Sequence, residues 1–173
     1  HMGRFIREQL VREGVDTSHV KTDPDRLTAL VILGIRDGER FPLVFYREDC
    51  ADMAIEAADM DADFIASARA VVVTGTHFST DRVAGASFTA MKMASQSDRL
   101  VAFDIDYRPS LWALGGHDDG ESRFAESERV TAHLQTVLPH CDLIVGTEEE
   151  WHIAGGTTDT IAALQAARAI TEA

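Results

Sequence analysis

Leu100–Trp112 reads LVAFDIDYRPSLW, and the fold turns on how this stretch is understood. Leu100, Val101, Ala102 and Phe103 form a short apolar run that leads directly into Asp104, Asp106 and Arg108. A strand buried in a parallel sheet reads as a brief continuous apolar run, and open α/β sheets bind ligands at the carboxyl ends of their strands. Two carboxylates and a guanidinium at such an end suit a metal, a phosphate or sugar hydroxyls. The same residues also fit a plain strand followed by a capped turn, so the flanking chain has to decide.

Outward from this stretch the pattern repeats. Ala70–Gly75 (AVVVTG) and Asp142–Gly146 (DLIVG) are two further apolar runs of strand length. Between them the spacing predicts a helix over about Asp81–Gln96, capped by Ser79 or Thr80, with Val83, Phe88, Met91 and Ala94 facing inward. A second helix is predicted over Glu128–Leu138, with Val130, Leu134, Val137 and Leu138 on one side. Thr147 opens another that ends at Gly155-Gly156, and Thr158–Ala173, capped by Thr157 or Thr158, forms the last. Strand and helix alternate, which predicts an α/β domain built on a parallel sheet. Asp106–Ser127 is a long glycine-containing loop, and loops of that length in compact domains are usually functional or mobile.

Toward the N-terminus the rhythm changes. Arg4–Glu13 carries Phe5, Ile6, Leu10 and Val11 at helical spacing, with Gly14 at the C-cap. Leu27–Ile35 and Phe41–Arg47 are β-rich runs joined by Arg36-Asp37-Gly38-Glu39-Arg40, and Asp-Gly between such runs signals a hairpin. This hairpin lies outside the strand–helix alternation and is expected to project as a flap. Ala51–Met60 and Asp61–Ala68, alanine-rich and acidic, are expected to form short helices.

Composition narrows the function. The 173 residues suffice for one domain with a proper core, and the net charge of −13 argues against a nucleic-acid partner, which demands a basic face. No apolar run approaches the ~20 residues of a membrane helix, and the N-terminus is polar, so neither a membrane span nor a signal peptide is expected. Cys50 and Cys141 are isolated and suit reduced, packed thiols in a cytoplasmic protein. Lys21 and Lys92 are the only lysines. His1-Met2 reads as an expression scar and is left out of the fold reasoning.

Each candidate site has a structural reading beside the functional one. Asp104-Ile105-Asp106 could serve an aspartate-nucleophile phosphatase, with Asp118-Asp119 as the later acidic pair, but Lys21 and Lys92 are poorly placed for it. Thr147–Glu150 has the pattern of a capping box that complements the helix dipole; functionally, Glu150 could organise a hydrated magnesium ion. Tyr46-Arg47 is either a charged end of an edge strand or a substrate contact. His133 and His140 suit solvent exposure or capping better than metal binding, His77 after the first strand is ambiguous, and His152 beside Trp151 has no evident partner.

Taken together, these segments resemble the ribokinase-like (PfkB) carbohydrate kinases. Gly14-Val15-Asp16-Thr17-Ser18 is similar to that family's GVDTS-type connection and the hairpin to its lid. Asp104-x-Asp106-x-Arg108 with Leu111-Trp112 is similar to its D-x-N-x-R…LW stretch, and Thr147-x-x-Glu150 to its N-x-x-E motif. Asp106 and Thr147 stand where many relatives carry Asn. The resemblance runs over every residue after the scar and is strongest to the sugar-acid branch that serves inositol catabolism.

It implies a three-layer α/β/α fold with a Rossmann-like parallel sheet, residues 27–47 as the lid and residues 51–173 as the core. It also implies ATP and Mg2+ as cofactors and a small sugar acid as substrate. Tyr46, Arg47, Asp104 and Arg108 would contact the substrate. Asp106, Arg108 and Thr147 would lie by the nucleotide, and Glu150 by the metal. The family's N-terminal substrate motif and its later D-T-x-G-A-G-D segment, which holds the general base and the anion hole, do not occur here. The chain therefore reads as the central part of one kinase domain, truncated at both ends, with no catalytic residue of its own and no turnover expected alone. Self-association through the hairpin or a bare sheet edge is expected, and a non-enzymatic assembly module that dimerises through the hairpin is the alternative outside enzymes.

Overall fold

The computed structural model describes residues 2–35, 43–114 and 124–171. Three parallel strands carry the fold: β3 (Ala70–Thr74), β4 (Leu100–Asp104) and β5 (Leu143–Val145), in that spatial order. Thr74, Asp104 and Val145 lie level at their carboxyl ends. Helix α3 (Asp81–Gln96) crosses from β3 to β4, and α4 (Glu128–Val137) leads into β5. Helices α5 (Glu148–Gly155) and α6 (Thr160–Arg168) follow. Alternation of strand and helix in sequence has become the parallel α/β sheet.

Side chains alternate along each strand, and only one set is covered. Val73, Val101 and Phe103 point into a core completed by Ala84, Ala90, Met91 and Ala94 of α3 and Val130, Leu134 and Val137 of α4. Burying each of the larger side chains is worth about 1.5–3 kcal/mol. The other set stays open, with Val72 68% and Leu100 60% exposed and Leu143 and Val145 also out. These strands are thus half-buried rather than covered on both faces.

Ahead of the sheet, α1 (Met2–Arg12) is followed by a loop tied down by Arg7, whose Nη1 donates to Thr17 O at 3.2 Å. The hairpin is present as β1 (Leu30–Leu33) antiparallel to β2 (Leu43–Tyr46), with Leu30 opposite Tyr46 and Val31 opposite Phe45. Its expected Asp37-Gly38 turn and Phe41 lie outside the described residues, as does Asp118-Asp119.

Several local expectations give way to side-chain competition. Residues 51–60 form two short 3-10 turns, Ala51–Ala54 and Ala57–Asp59, not an amphipathic α-helix. Asp59 Oδ2 accepts from Glu56 N at 3.0 Å and Asp52 is turned toward Arg47, so side chains take hydrogen bonds that would otherwise favour a longer helix. Only α2 (Ala62–Ser67), capped by Asp61, is helical there. Neither Ser79 nor Thr80 caps α3 by its side chain; Ser79 Oγ donates to Thr76 O instead. Helix α6 is capped by Asp159, whose carboxylate accepts from Ala162 N at 2.9 Å, not by Thr157 or Thr158.

Tyr107 closes the core below the site. Its ring is buried and its hydroxyl donates to Ala125 O at 2.7 Å. Burial pushes the phenol up to about 12 from 10.0. Between those values the folded chain holds a proton that the unfolded chain has released, so stability falls as pH rises through that window. Tyr107→Phe is expected to flatten this part of the alkaline unfolding profile, measured as Tm against pH. An unchanged slope would count against it.

Candidate functional site

The site is built where β4 and β5 end. Gly75 lets the turn after β3 approach so closely that an added Cβ would stand 1.9 Å from Ile105 O. Ile105 N donates to Val145 O at 2.9 Å, extending the β4–β5 ladder one residue past the strand. Beyond it Asp106 takes a left-handed conformation with φ +31°, a region in which Asp and Asn are enriched among non-glycine residues. This kink sets the carboxylate of Asp106 against Arg108.

Arg108 is the hub. Its Nη2 lies 2.7 Å from Asp106 Oδ1, and its Nη1 contacts Glu150 Oε1 at 3.4 Å and donates to Tyr107 O at 3.1 Å. Glu150 is buried, and its Oε2 accepts from Thr147 N at 2.8 Å. Thr147 Oγ1 in turn accepts from Glu150 N at 3.4 Å, so the capping box is real and anchors the carboxylate. Arg108, Asp106, Glu150 and Thr147 are therefore one connected group. Thr147→Ala removes the cap acceptor and is expected to cost about 1 kcal/mol. Urea unfolding of the two chains would show this as a lower midpoint with an unchanged slope.

Asp104 stands apart: it is exposed, and among the described residues its side chain makes no hydrogen bond or ion pair. Tyr46 is 51% exposed at the end of β2. Arg47, just after it, is drawn inward, with its Nε donating to Asp52 Oδ2 at 2.6 Å. The structure thus gathers Asp106, Arg108, Thr147 and Glu150 directly and places Arg47 with a different carboxylate.

Two residues that spacing alone did not single out complete the picture. Asp52 is one. The other is His77, in the turn after β3, whose imidazole pKa is lowered by burial first and by Arg47 second, while Asp52 and Asp106 act in the opposite direction. His77 thus lies within electrostatic reach of the hairpin base and of the β4 end together. Other described histidines pack locally: His152 Nε2 meets Thr160 Oγ1 at 3.0 Å, and the His133 ring packs 5.4 Å from Trp112 rather than facing solvent. His140 is exposed, its ring against Phe88 at 5.8 Å.

Among the described residues no group of three or more His, Cys, Asp or Glu side chains could hold a metal directly. Glu150 still fits a hydrated ion. A carboxylate offers about four lone-pair sites, and Thr147 N and Arg108 use two of them, leaving acceptors for metal-bound water. Magnesium commonly keeps several waters in this way.

The parallel α/β sheet, with a guanidinium held between carboxylates at its strand ends, matches solved structures of ribokinase-like fold. The PfkB protein from Polaromonas sp. JS666 superposes with a TM-score of 0.80 at 24% identity, over 98% of this chain and 53% of that one. The ATP-bound fructokinase from Xylella fastidiosa gives 0.79 at 20% identity, over 98% and 49%. The model of the pfkB family of carbohydrate kinases matches residues 1–173, and the chain belongs to that family. The 5-dehydro-2-deoxygluconokinase of Geobacillus kaustophilus is 32% identical over 151 residues, which is 87% of this chain and 42% of that protein. That of Bacillus velezensis is 28% identical over 165 residues, 92% and 46%. The chain spans less than half the length of these two relatives.

Proposed function

We propose that this chain is the central segment of an ATP-dependent kinase that phosphorylates a sugar acid, 5-dehydro-2-deoxygluconate, in inositol catabolism in the cytoplasm. The observation that carries the substrate is the 32% identity with the Geobacillus kaustophilus protein of that name. The Arg108 network supports it. Phosphoryl transfer relies on positioning and on charge placed around the phosphates, and a guanidinium fork recognises carboxylate or phosphate in two-point fashion.

In this reading Tyr46, Arg47, Asp104 and Arg108 hold the sugar acid, and Asp106, Arg108 and Thr147 border the nucleotide. Glu150 orients the waters of a magnesium ion, which would neutralise phosphate charge when bound. The general base and the anion hole are supplied from outside these residues. The 173-residue chain alone therefore binds pieces of its ligands without turning them over.

The test is ADP release by the whole protein with 5-dehydro-2-deoxygluconate or fructose as acceptor. The expected result is a kcat/KM at least tenfold higher for the sugar acid. Preference for fructose would overturn the substrate, and no ADP with either would overturn the kinase. Turnover by the 173-residue chain alone would overturn its inactivity. Hydrolysis of a generic phosphoester by that chain, lost in Asp104→Asn, would instead favour the phosphatase.

The same reading includes self-association of the isolated chain. Val31, Ile32 and Leu33 of the hairpin and Val72, Leu100, Leu143 and Val145 of the sheet are exposed apolar side chains, and contiguous patches of this kind favour association. Sedimentation velocity over a concentration series is expected to show dimers or larger species. A strictly monomeric boundary at the highest concentration would refute it.

A further inference from the structure

We propose that Asp52 is a positioning residue for Arg47, holding its guanidinium side-on so that the Nη1/Nη2 edge is presented to the anionic group of the substrate. The proposal rests on the sugar-acid kinase reading and adds a residue which that reading does not use. Arg47 follows β2 directly, and Asp52 sits five residues on, in the 3-10 turn Ala51–Ala54. Their bond is short and charge-assisted, Nε to Oδ2 at 2.6 Å, with the side chains 18% and 28% exposed.

The way the fork is used matters. A guanidinium has five donors in a rigid plane, and a carboxylate can engage it along the Nε edge or end-on through the two Nη groups. Asp52 occupies Nε. Among the described residues neither Nη group of Arg47 has a partner, so the end-on pair is the part left for a ligand.

Asp52 also lacks the mark of a structural staple. Its Oδ1 is buried with no hydrogen-bond partner, and Arg47 is the only side chain with which it pairs among the described residues. A buried acceptor left unmade costs free energy, and a bridging water or a substrate hydroxyl would satisfy it. His77, in the turn just past the carboxyl end of β3, lies close enough to Arg47, Asp52 and Asp106 for their charges to bear on its imidazole. An arginine at the end of a hairpin strand would otherwise sample many rotamers, and fixing one of them before the ligand arrives is a gain in affinity.

The experiment is steady-state kinetics of the whole kinase with the sugar acid and ATP varied separately, for wild type, Asp52→Ala and Asp52→Asn, with Tm measured for each. Loss of a charge-assisted bond predicts that Asp52→Ala raises KM for the sugar acid by about tenfold to a hundredfold, with KM for ATP and kcat changed by no more than about twofold. Asp52→Asn keeps an acceptor for Nε and is expected to recover at least half of that loss on a logarithmic scale. Equal rises in both KM values, or a fall in kcat alone, would mark a merely structural role and overturn the proposal. An unchanged sugar-acid KM would overturn it as well. If Asp52→Ala does not fold, Asp52→Asn decides: a raised sugar-acid KM supports the proposal and an unchanged one refutes it. Inactive wild-type protein would overturn the kinase reading itself, a failure separate from any difference between variants.

Discussion

Gly75→Ala is expected to destabilise this chain severely. An alanine Cβ at that position would sit 1.9 Å from Ile105 O and 2.9 Å from Ile105 C, and both are backbone atoms that no rotamer change can move. Ile105 cannot retreat. Its side chain is fully buried and its N–H is spent on Val145 O at 2.9 Å, so displacing it unzips the end of the β4–β5 ladder. Overpacking together with a broken buried hydrogen bond puts the cost at about 3 kcal/mol or more, a large share of the ~5–15 kcal/mol that stabilises a typical domain.

Gly85→Ala is the matched control. It lies within α3 with nothing inside 4 Å of an added Cβ, so the change should stabilise by about 0.5–1 kcal/mol through helix propensity. Thermal unfolding followed by circular dichroism separates the two. A Gly75→Ala chain that melts within a degree or two of wild type would refute the close approach.

How much of this was legible in the sequence depends on how local the cause is. The three strands and α3 could be read because their patterns are set by their own residues: AVVVT, LVAFD and the spacing of Val83, Met91 and Ala94. The Arg108 group was legible for a related reason, since Asp106, Arg108 and the Thr147–Glu150 box each follow directly on a strand end. The sheet then brings the ends together without further instruction.

What escaped the sequence depends on partners far away in the fold. Residues 51–60 have helical composition, but Asp52 answers to Arg47, and Asp59 to Lys21 as well as to its own turn. Their short 3-10 turns follow from those contacts rather than from propensity. His77 was ambiguous in the sequence because its neighbours come from the hairpin base and the β4 end, some 25–30 residues away on either side. The uncovered face of the sheet could not be read from the strands themselves, because an apolar strand reads the same whether one face or both are packed; it was expected only through the family resemblance, which implies further strands.

Arg108→Leu is expected to be the most damaging change to activity, and a second substitution can separate its two roles. The guanidinium lies between Asp106 at 2.7 Å and Glu150 at 3.4 Å, so its removal leaves two carboxylates near one another, one of them buried. Arg108 is about one-third exposed, which moderates the loss; about 2 kcal/mol is reasonable for charged hydrogen bonds of this kind. Glu150→Gln in the same chain removes the uncompensated charge while keeping an acceptor for Thr147 N, and should restore most of the Tm.

Activity should not return with it. If Arg108 places the sugar acid or the transferring phosphate, losing its fork costs about 10²–10³ in kcat/KM of the whole kinase, whatever the stability of the scaffold. Arg108→Lys is a sharper probe still. One ammonium cannot span Asp106, Glu150 and a ligand in a plane, so it should retain stability better than leucine and yet lose most of the rate. Recovery of kcat/KM in the Arg108→Leu, Glu150→Gln double variant would show that Arg108 serves only to neutralise Glu150, and would remove it from the site.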